Sequence, residues 1–187
     1  MDRIISALTF KREVYADVEQ DSSFTTTAWL IVAVVSFLNA LGTGSSDNIL
    51  NWLLNALGGA VFAIVGFAVA AFVIDLVGRT VFKAESSFNE VVRTVGLAYV
   101  WQVFGVLGIL GVFIPLLICV VGPVTFVAWI LWIIAAFIAV KEALDLEWLQ
   151  TIITVVLGWV AFFIVVLIGG LILAAIGIGG AALFGAF

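Results

Sequence analysis

Chemistry inside an apolar chain has to come from its few polar side chains. The polar groups most expected at membrane depth are Asn39, Asn51, Asn55, Gln102 and Thr125, with Asp75 and Arg79 at the end of one apolar run. Amides and hydroxyls hydrogen-bond, but an amide neither stores a transferable proton near neutral pH nor acts as a nucleophile. Without a single histidine a Ser–His arrangement is ruled out, and Asp75 has no second intramembrane acid with which to form a carboxylate dyad. One cysteine, one methionine and no histidine also remove the usual ligand sets for haem, zinc, copper and iron–sulfur. The expectation is a protein with no catalytic residues, no cofactor and no metal.

Two readings of the amides remain. Asn51 and Asn55 stand one helical turn apart, and with Asn39 and Gln102 they could line a solute path. The same four residues could instead be interhelical hydrogen-bond glue worth about 0.6 to 2 kcal/mol each. The second reading is preferred, because conducting pathways generally add charges or broken helices. Asp75 and Arg79, at i and i+4, are expected to form an interfacial ion pair on the helix surface in the headgroup zone. Cys119 lies in the apolar run Phe113 to Val121 and reads as a small hydrophobe.

The elements that must carry these residues follow from composition and charge. The chain has 187 residues, 65% of them apolar and 10% charged, with a mean hydropathy of +1.36. Those values lie far outside the range of soluble proteins. All seven basic residues fall in three short segments: an arm (Arg3, Lys11, Arg12), a middle loop (Arg79, Lys83, Arg93) and a connector (Lys141). Between successive segments there is enough uncharged sequence to cross a bilayer twice. Basic loops stay cytoplasmic, so the expectation is an all-α integral membrane bundle of five spans in the cell membrane of a prokaryote, with the N-terminus inside and the C-terminus outside. The start has no long apolar core before Lys11 and does not read as a cleaved signal. The cytoplasmic segments would hold seven basic residues against eleven of the twelve acids, leaving Asp47 outside. Nothing in that balance suggests nucleic acid or anionic lipid.

Helix grammar sets the boundaries. Ile4, Ile5, Leu8, Tyr15 and Val18 recur at helical spacing among charged residues, which predicts an amphipathic interfacial helix within the arm 1–23, broken near Thr9. Asp21, Ser22 and Ser23 can cap a first span over about 25–42. A breaker-rich loop from Gly42 to Asn48 leads to a second span over about 49–77, long enough at about 43 Å to tilt or protrude. Ser87-Phe88-Asn89-Glu90 is a capping box that starts the helix of a third span, about 95–119. Between Gly96 and Val140 there is no charge, so two spans share this stretch. Gly122-Pro123 is the preferred turn, with the fourth span over about 123–140, and a turn between Gly111 and Pro115 is the alternative. Asp145 is the expected cap of a fifth span over about 150–174, with Trp148 at the interface, and residues 175–187 form a Gly-rich outer tail. Gly66-x-x-x-Ala70 and Gly170-x-x-x-Ala174 are small-residue faces for close helix contact or self-association. The seven tryptophans read mostly as interface anchors and lipid-facing bulk.

Three stretches, Leu8 to Asp21, Ser87 to Gly96 and Ile138 to Leu146, give the chain a resemblance to the Yip1 domain family, in particular its short bacterial and archaeal members. The resemblance covers nearly the whole chain. It implies one five-span domain, residues 1–187, with a cytoplasmic N-terminus. Eukaryotic relatives are linked to Golgi and endoplasmic-reticulum trafficking and to prenylated Rab GTPases. This sequence shows neither their long cytosolic region nor an Asp-Leu-Tyr-Gly-Pro type motif, so those properties are not expected here. The expected role is a non-catalytic scaffold that organises the bilayer or binds a partner, either another membrane protein or itself, possessing no nucleic-acid partner. A subunit of a small-solute or ion transporter is the alternative.

Overall fold

The computed structural model describes residues 2–44 and 48–175. Asp47 and nearly all of the Gly-rich tail lie outside those residues. Among the described residues every regular element is helical. The arm forms α1 (Asp2–Leu8) and α2 (Arg12–Gln20). Five long apolar helices follow: α3 (Phe24–Thr43), α4 (Ile49–Val81), α5 (Phe88–Phe113), α6 (Pro115–Leu144) and α7 (Trp148–Ala175). The protein is a multi-pass membrane protein. Its large exposed side chains, among them Leu57, Phe72, Phe126, Phe163 and Leu171, are the surface such a bundle turns to lipid. We call the end carrying the arm, the α4–α5 loop and the α6–α7 connector the charged end.

Several boundaries follow local chemistry. Asn48 Oδ1 accepts from the Leu50 amide at 2.8 Å and starts α4. The capping box is formed as expected: Ser87 N donates to Glu90 Oε2 at 2.8 Å, and Glu90 N to Ser87 Oγ at 3.4 Å. Phe10 takes a left-handed conformation (φ 55°) between α1 and α2, placing the arm's break next to Thr9.

The Gly122-Pro123 turn is not formed. Helix α5 ends at Phe113, Ile114 is extended (φ −133°, ψ 87°), and Pro115 opens α6. Both prolines suit the first turn of a helix; the helical region is disfavoured for the residue before a proline, and Ile114 leaves it while Gly122, with no Cβ to clash, stays helical. Pro123 is carried inside α6. Thr125 Oγ1 donates to the carbonyls of Val121 and Gly122, both at 3.0 Å, in the turn around Pro123. The third and fourth spans therefore have 26 and 30 residues, and each reaches the charged end by its own length.

In lipid, where burial of apolar surface drives association weakly, packing depends on close approach. Helices α4 and α7 pair along most of their length. A Cβ on Gly58 would lie 2.8 Å from Leu173, one on Gly158 2.6 Å from Ile74, and one on Gly169 2.2 Å from Phe62. Gly66 belongs to this seam as expected. On α7, Gly169 and not Gly170 is the buried glycine. Helices α3 and α5 approach even more closely: a Cβ on Gly42 would lie 1.9 Å from the Gly105 carbonyl oxygen, and one on Gly108 2.1 Å from that of Gly42. Along this contact α5 narrows to a 3-10 helix over Tyr99–Leu107, whose smaller radius brings the two backbones together.

The tryptophans are not all anchors or lipid-facing bulk. Trp101 and Trp132 are buried, and a run of rings joins all five spans: Trp29, Phe67, Tyr99, Trp132, Trp159 and Phe137, with successive centroids 5.5 to 6.3 Å apart. Edge-to-face and stacked pairs of this kind add about 0.5 to 1.5 kcal/mol each beyond their area.

A Gly42→Val substitution should cost about 3 kcal/mol, the upper end for overpacking, because the obstruction is backbone. Tryptophan fluorescence during titration with dodecyl sulfate would measure it. A variant as stable as the parent would show that the α3–α5 approach is not required.

Candidate functional site

The charged end is organised around Arg93, in the second turn of α5. The capping box fixes the start of that helix, and the arginine's neighbours in sequence Val91, Val92 and Val95 are buried in the core. Its guanidinium spans three elements. Nε donates to the Val18 carbonyl at 2.9 Å, Nη2 to the Glu19 carbonyl, and Nη1 to Thr25 Oγ1 at 3.3 Å, with Glu90 4.0 Å away. Val18 and Glu19 lie in the last turn of α2, where carbonyls lack helical partners and the helix dipole is negative. A buried cation thus caps the arm helix and ties it to the starts of α3 and α5. Bonds to a charged donor of this kind contribute about 1.5 to 3 kcal/mol each.

The arm residues read as a membrane-interface helix divide by this docking. Tyr15 and Val18 are fully buried in protein, not in lipid, Ile4 and Leu8 pack partly against the core, and Ile5 is exposed. Burial pushes the Tyr15 phenol well above its ordinary range. Arg3 holds the α2–α3 junction through Asp17 at 2.8 Å and Asp21 at 2.7 Å, and lies 5.4 Å from the centre of the Phe24 ring. Bonds from Ser23 and Arg3 hold the Asp21 carboxyl down at about 2. Across the end, Arg12 and Lys141 both approach the Trp148 ring, at 5.8 and 5.6 Å, and Lys141 Nζ donates to the Leu146 carbonyl at 2.9 Å. Asp145 is not the cap of α7. It ends α6 in the left-handed conformation (φ 48°), and Glu147 precedes Trp148, the first residue of α7. Burial raises the Glu19 carboxyl, and the charges of Asp145, Glu90 and Glu142 raise it further, with Arg93 opposing. Acids from three elements therefore converge on one patch.

Asp75 and Arg79 are bonded as expected, but the pair is not a surface one. Asp75 is fully buried while the Arg79 side chain is half exposed, and Asp75 Oδ1 has no hydrogen-bond partner among the described residues. Of the four intramembrane amides, only two meet. Asn39 Nδ2 donates to the Gln102 carbonyl at 3.0 Å and to Gln102 Oε1 at 2.9 Å. Asn51 is exposed and Asn55 half-buried, its Oδ1 enclosed without a partner. Asn39 and Gln102 border two cavities of about 610 and 290 Å³ in the half of the bundle away from the charged end.

The Yip1 domain family model matches residues 5–170. The chain belongs to the Yip1 domain family. No curated protein and no solved structure matches it. The matched region of this Yip1 domain protein includes the arm from Ile5, the whole of α3 to α6 and most of α7, and thus Arg93 with every oxygen it binds.

Arg93 was the residue that sequence reasoning passed over. The sequence places it only among the basic residues of the middle loop. The available signal was its setting: one cation in a helix start whose neighbours Val91, Val92 and Val95 are all aliphatic, a combination that demands buried oxygen partners.

Two outcomes test the docking. Arg93→Ala should release the arm and raise tryptic cleavage at Lys11 and Arg12 by about tenfold or more, equivalent to the loss of one charged hydrogen bond, while Arg93→Lys, which keeps charge without the fork, should fall between. Acid has a signed effect. Glu19 binds its proton more tightly when docked, so docking should strengthen as pH falls from neutrality toward 4.5. Asp21 binds its proton less tightly when docked, so its contribution should disappear as pH falls from 3.8 to about 2. A nitroxide on Lys11→Cys, in a Cys119→Ala background, would report both by its mobility.

Proposed function

We propose that this Yip1 domain protein is a non-catalytic scaffold of a prokaryotic cell membrane that presents its charged end to the cytoplasm and binds a protein partner there. One observation carries the reading: the arm is locked by Arg93 into a platform on which Glu19, Glu90, Glu142 and Asp145 gather. Such a platform favours a basic segment of a partner. The small-residue faces that could have served self-association are engaged within the chain, Gly58, Gly66, Gly158 and Gly169 between α4 and α7 and Gly42, Gly105 and Gly108 between α3 and α5. That supports the platform, not a helix face, as the partner surface. Placing this end inside follows from its seven basic residues.

Transport asks for a continuous polar route. Tyr99 and Trp132 border the smaller cavity and belong to the run of rings that joins all five spans, and Asn51 and Asn55 border neither cavity. Both points support the scaffold over the transporter.

Single cysteines at Gly44 and Lys83, in a Cys119→Ala background, should label from opposite sides of sealed vesicles; labelling from one side would overturn the orientation. A partner retained in mild detergent by the parent should be lost from Glu142→Lys/Asp145→Lys with unchanged thermal unfolding. A monodisperse monomer without a partner, or equal retention by the double variant, would count against the platform.

A further inference from the structure

We propose that the cavity enclosed by α3, α5 and α6 is a binding site for a neutral acylglycerol drawn from the bilayer, its glycerol head on Asn39 and Gln102 and its acyl chain directed toward Trp129. The space has the size of a ligand site. Its about 610 Å³ adjoins the second volume of about 290 Å³, and Asn39, Thr43, Gln102 and Trp129 border both. Small-molecule sites run from about 300 to 1,000 Å³, apolar with a few polar groups at fixed points.

The polar groups specify the head. Asn39 spends its Nδ2 on the Gln102 carbonyl and Oε1. That leaves Asn39 Oδ1, an acceptor, and Gln102 Nε2, a donor, with no bond to any described residue, on two side chains that both border the cavities. Neither atom is sealed in protein, unlike the Asn55 oxygen. A ligand that completes both must itself offer a donor and an acceptor, which a glycerol hydroxyl and the adjoining ester carbonyl do. None of the residues bordering the two cavities carries a charge at neutral pH. A phosphate, a carboxylate or an ammonium would therefore be desolvated there without a counter-charge, which selects an uncharged head.

At Gly122 no side chain narrows the space, and the missing Cβ also lets the residue before Pro123 stay helical. A Cβ on Gly42, Gly105 or Gly108 would collide with the facing helix or with Asn39, whereas a Cβ on Gly122 would meet nothing within 4 Å. Glycine inside a helix costs about 1 kcal/mol relative to alanine. Here that cost leaves the α6 wall of the cavity bare. Trp129, 43% exposed and bordering both volumes, stands where the cavity meets lipid.

The test uses the whole protein in dodecyl maltoside with 1-oleoylglycerol, oleate and hexadecane as probes, read by tryptophan-fluorescence melting and by native mass spectrometry. Mono-oleoylglycerol should raise the melting temperature saturably and remain bound as a single adduct, while oleate and hexadecane at the same concentration should not. Asn39→Leu or Gln102→Leu should weaken the response at least about tenfold. Gly122→Leu should fill the cavity and abolish the response while the protein stays folded, and Val112→Trp, which blocks from the exposed rim of α5, serves should Gly122→Leu not fold. No shift with mono-oleoylglycerol, an equal shift with hexadecane, or an undiminished shift in a folded cavity-filled variant would overturn the site and leave it a water-filled space.

Discussion

A guanidinium taken out of water must find oxygen for its donors, and Arg93 finds it on three different elements. Two acceptors are carbonyls that end α2, one is a hydroxyl in the first turn of α3, and the nearest carboxylate lies in its own helix. Helices α2, α3 and α5 cannot move independently while those bonds stand. The arm is thereby converted from a segment that its own amphipathicity would lay on lipid into a part of the protein core, with Tyr15 and Val18 beneath it. Breaking one side of such an arrangement is far more costly than never having built it, since the remaining groups stay buried and unmatched.

The rest of the bundle uses a different physics. Away from the charged end, among the described residues, there is little polar bonding between spans beyond Asn39 with Gln102, Trp52 Nε1 donating to the Leu41 carbonyl at 3.1 Å, and the 3.4 Å contact of Ser36 Oγ with Tyr99 Oη. Contact there depends on glycines that let backbones touch and on rings that fill the interior. Where α3 and α5 meet, α5 is a 3-10 helix of smaller radius, and within it the Gln102 carbonyl accepts from Asn39. The cavity lies next to this contact because the helix on its third side, α6, presents Gly122 there in place of a side chain.

Much of the architecture was legible in the residues. The number of apolar runs, the capping box before Phe88, the break near Thr9 and the Asp75–Arg79 bond are local or compositional features, and the structure contains each of them. The third turn was not legible, because two prolines with nearly equal claims sat eight residues apart and only the extended backbone of Ile114 separates them. Nor were the roles of the tryptophans. A ring flanked by aliphatic residues has the same local sequence whether it faces lipid or its neighbours, since both surroundings are apolar.

Sequence by itself determined which segments leave the membrane, because the cost of a charge in hydrocarbon is paid residue by residue and needs no partner to be counted. It determined membership of the chain in its family and the absence of histidine-based chemistry. Tertiary structure alone decided that Arg93 faces α2 and not water, that Asn39 meets Gln102 while Asn51 and Asn55 stay apart, and that Tyr15 lies in protein. Those outcomes depend on which oxygen or ring a neighbouring helix brings within about 3 to 6 Å, and the one-dimensional order of residues does not contain that distance.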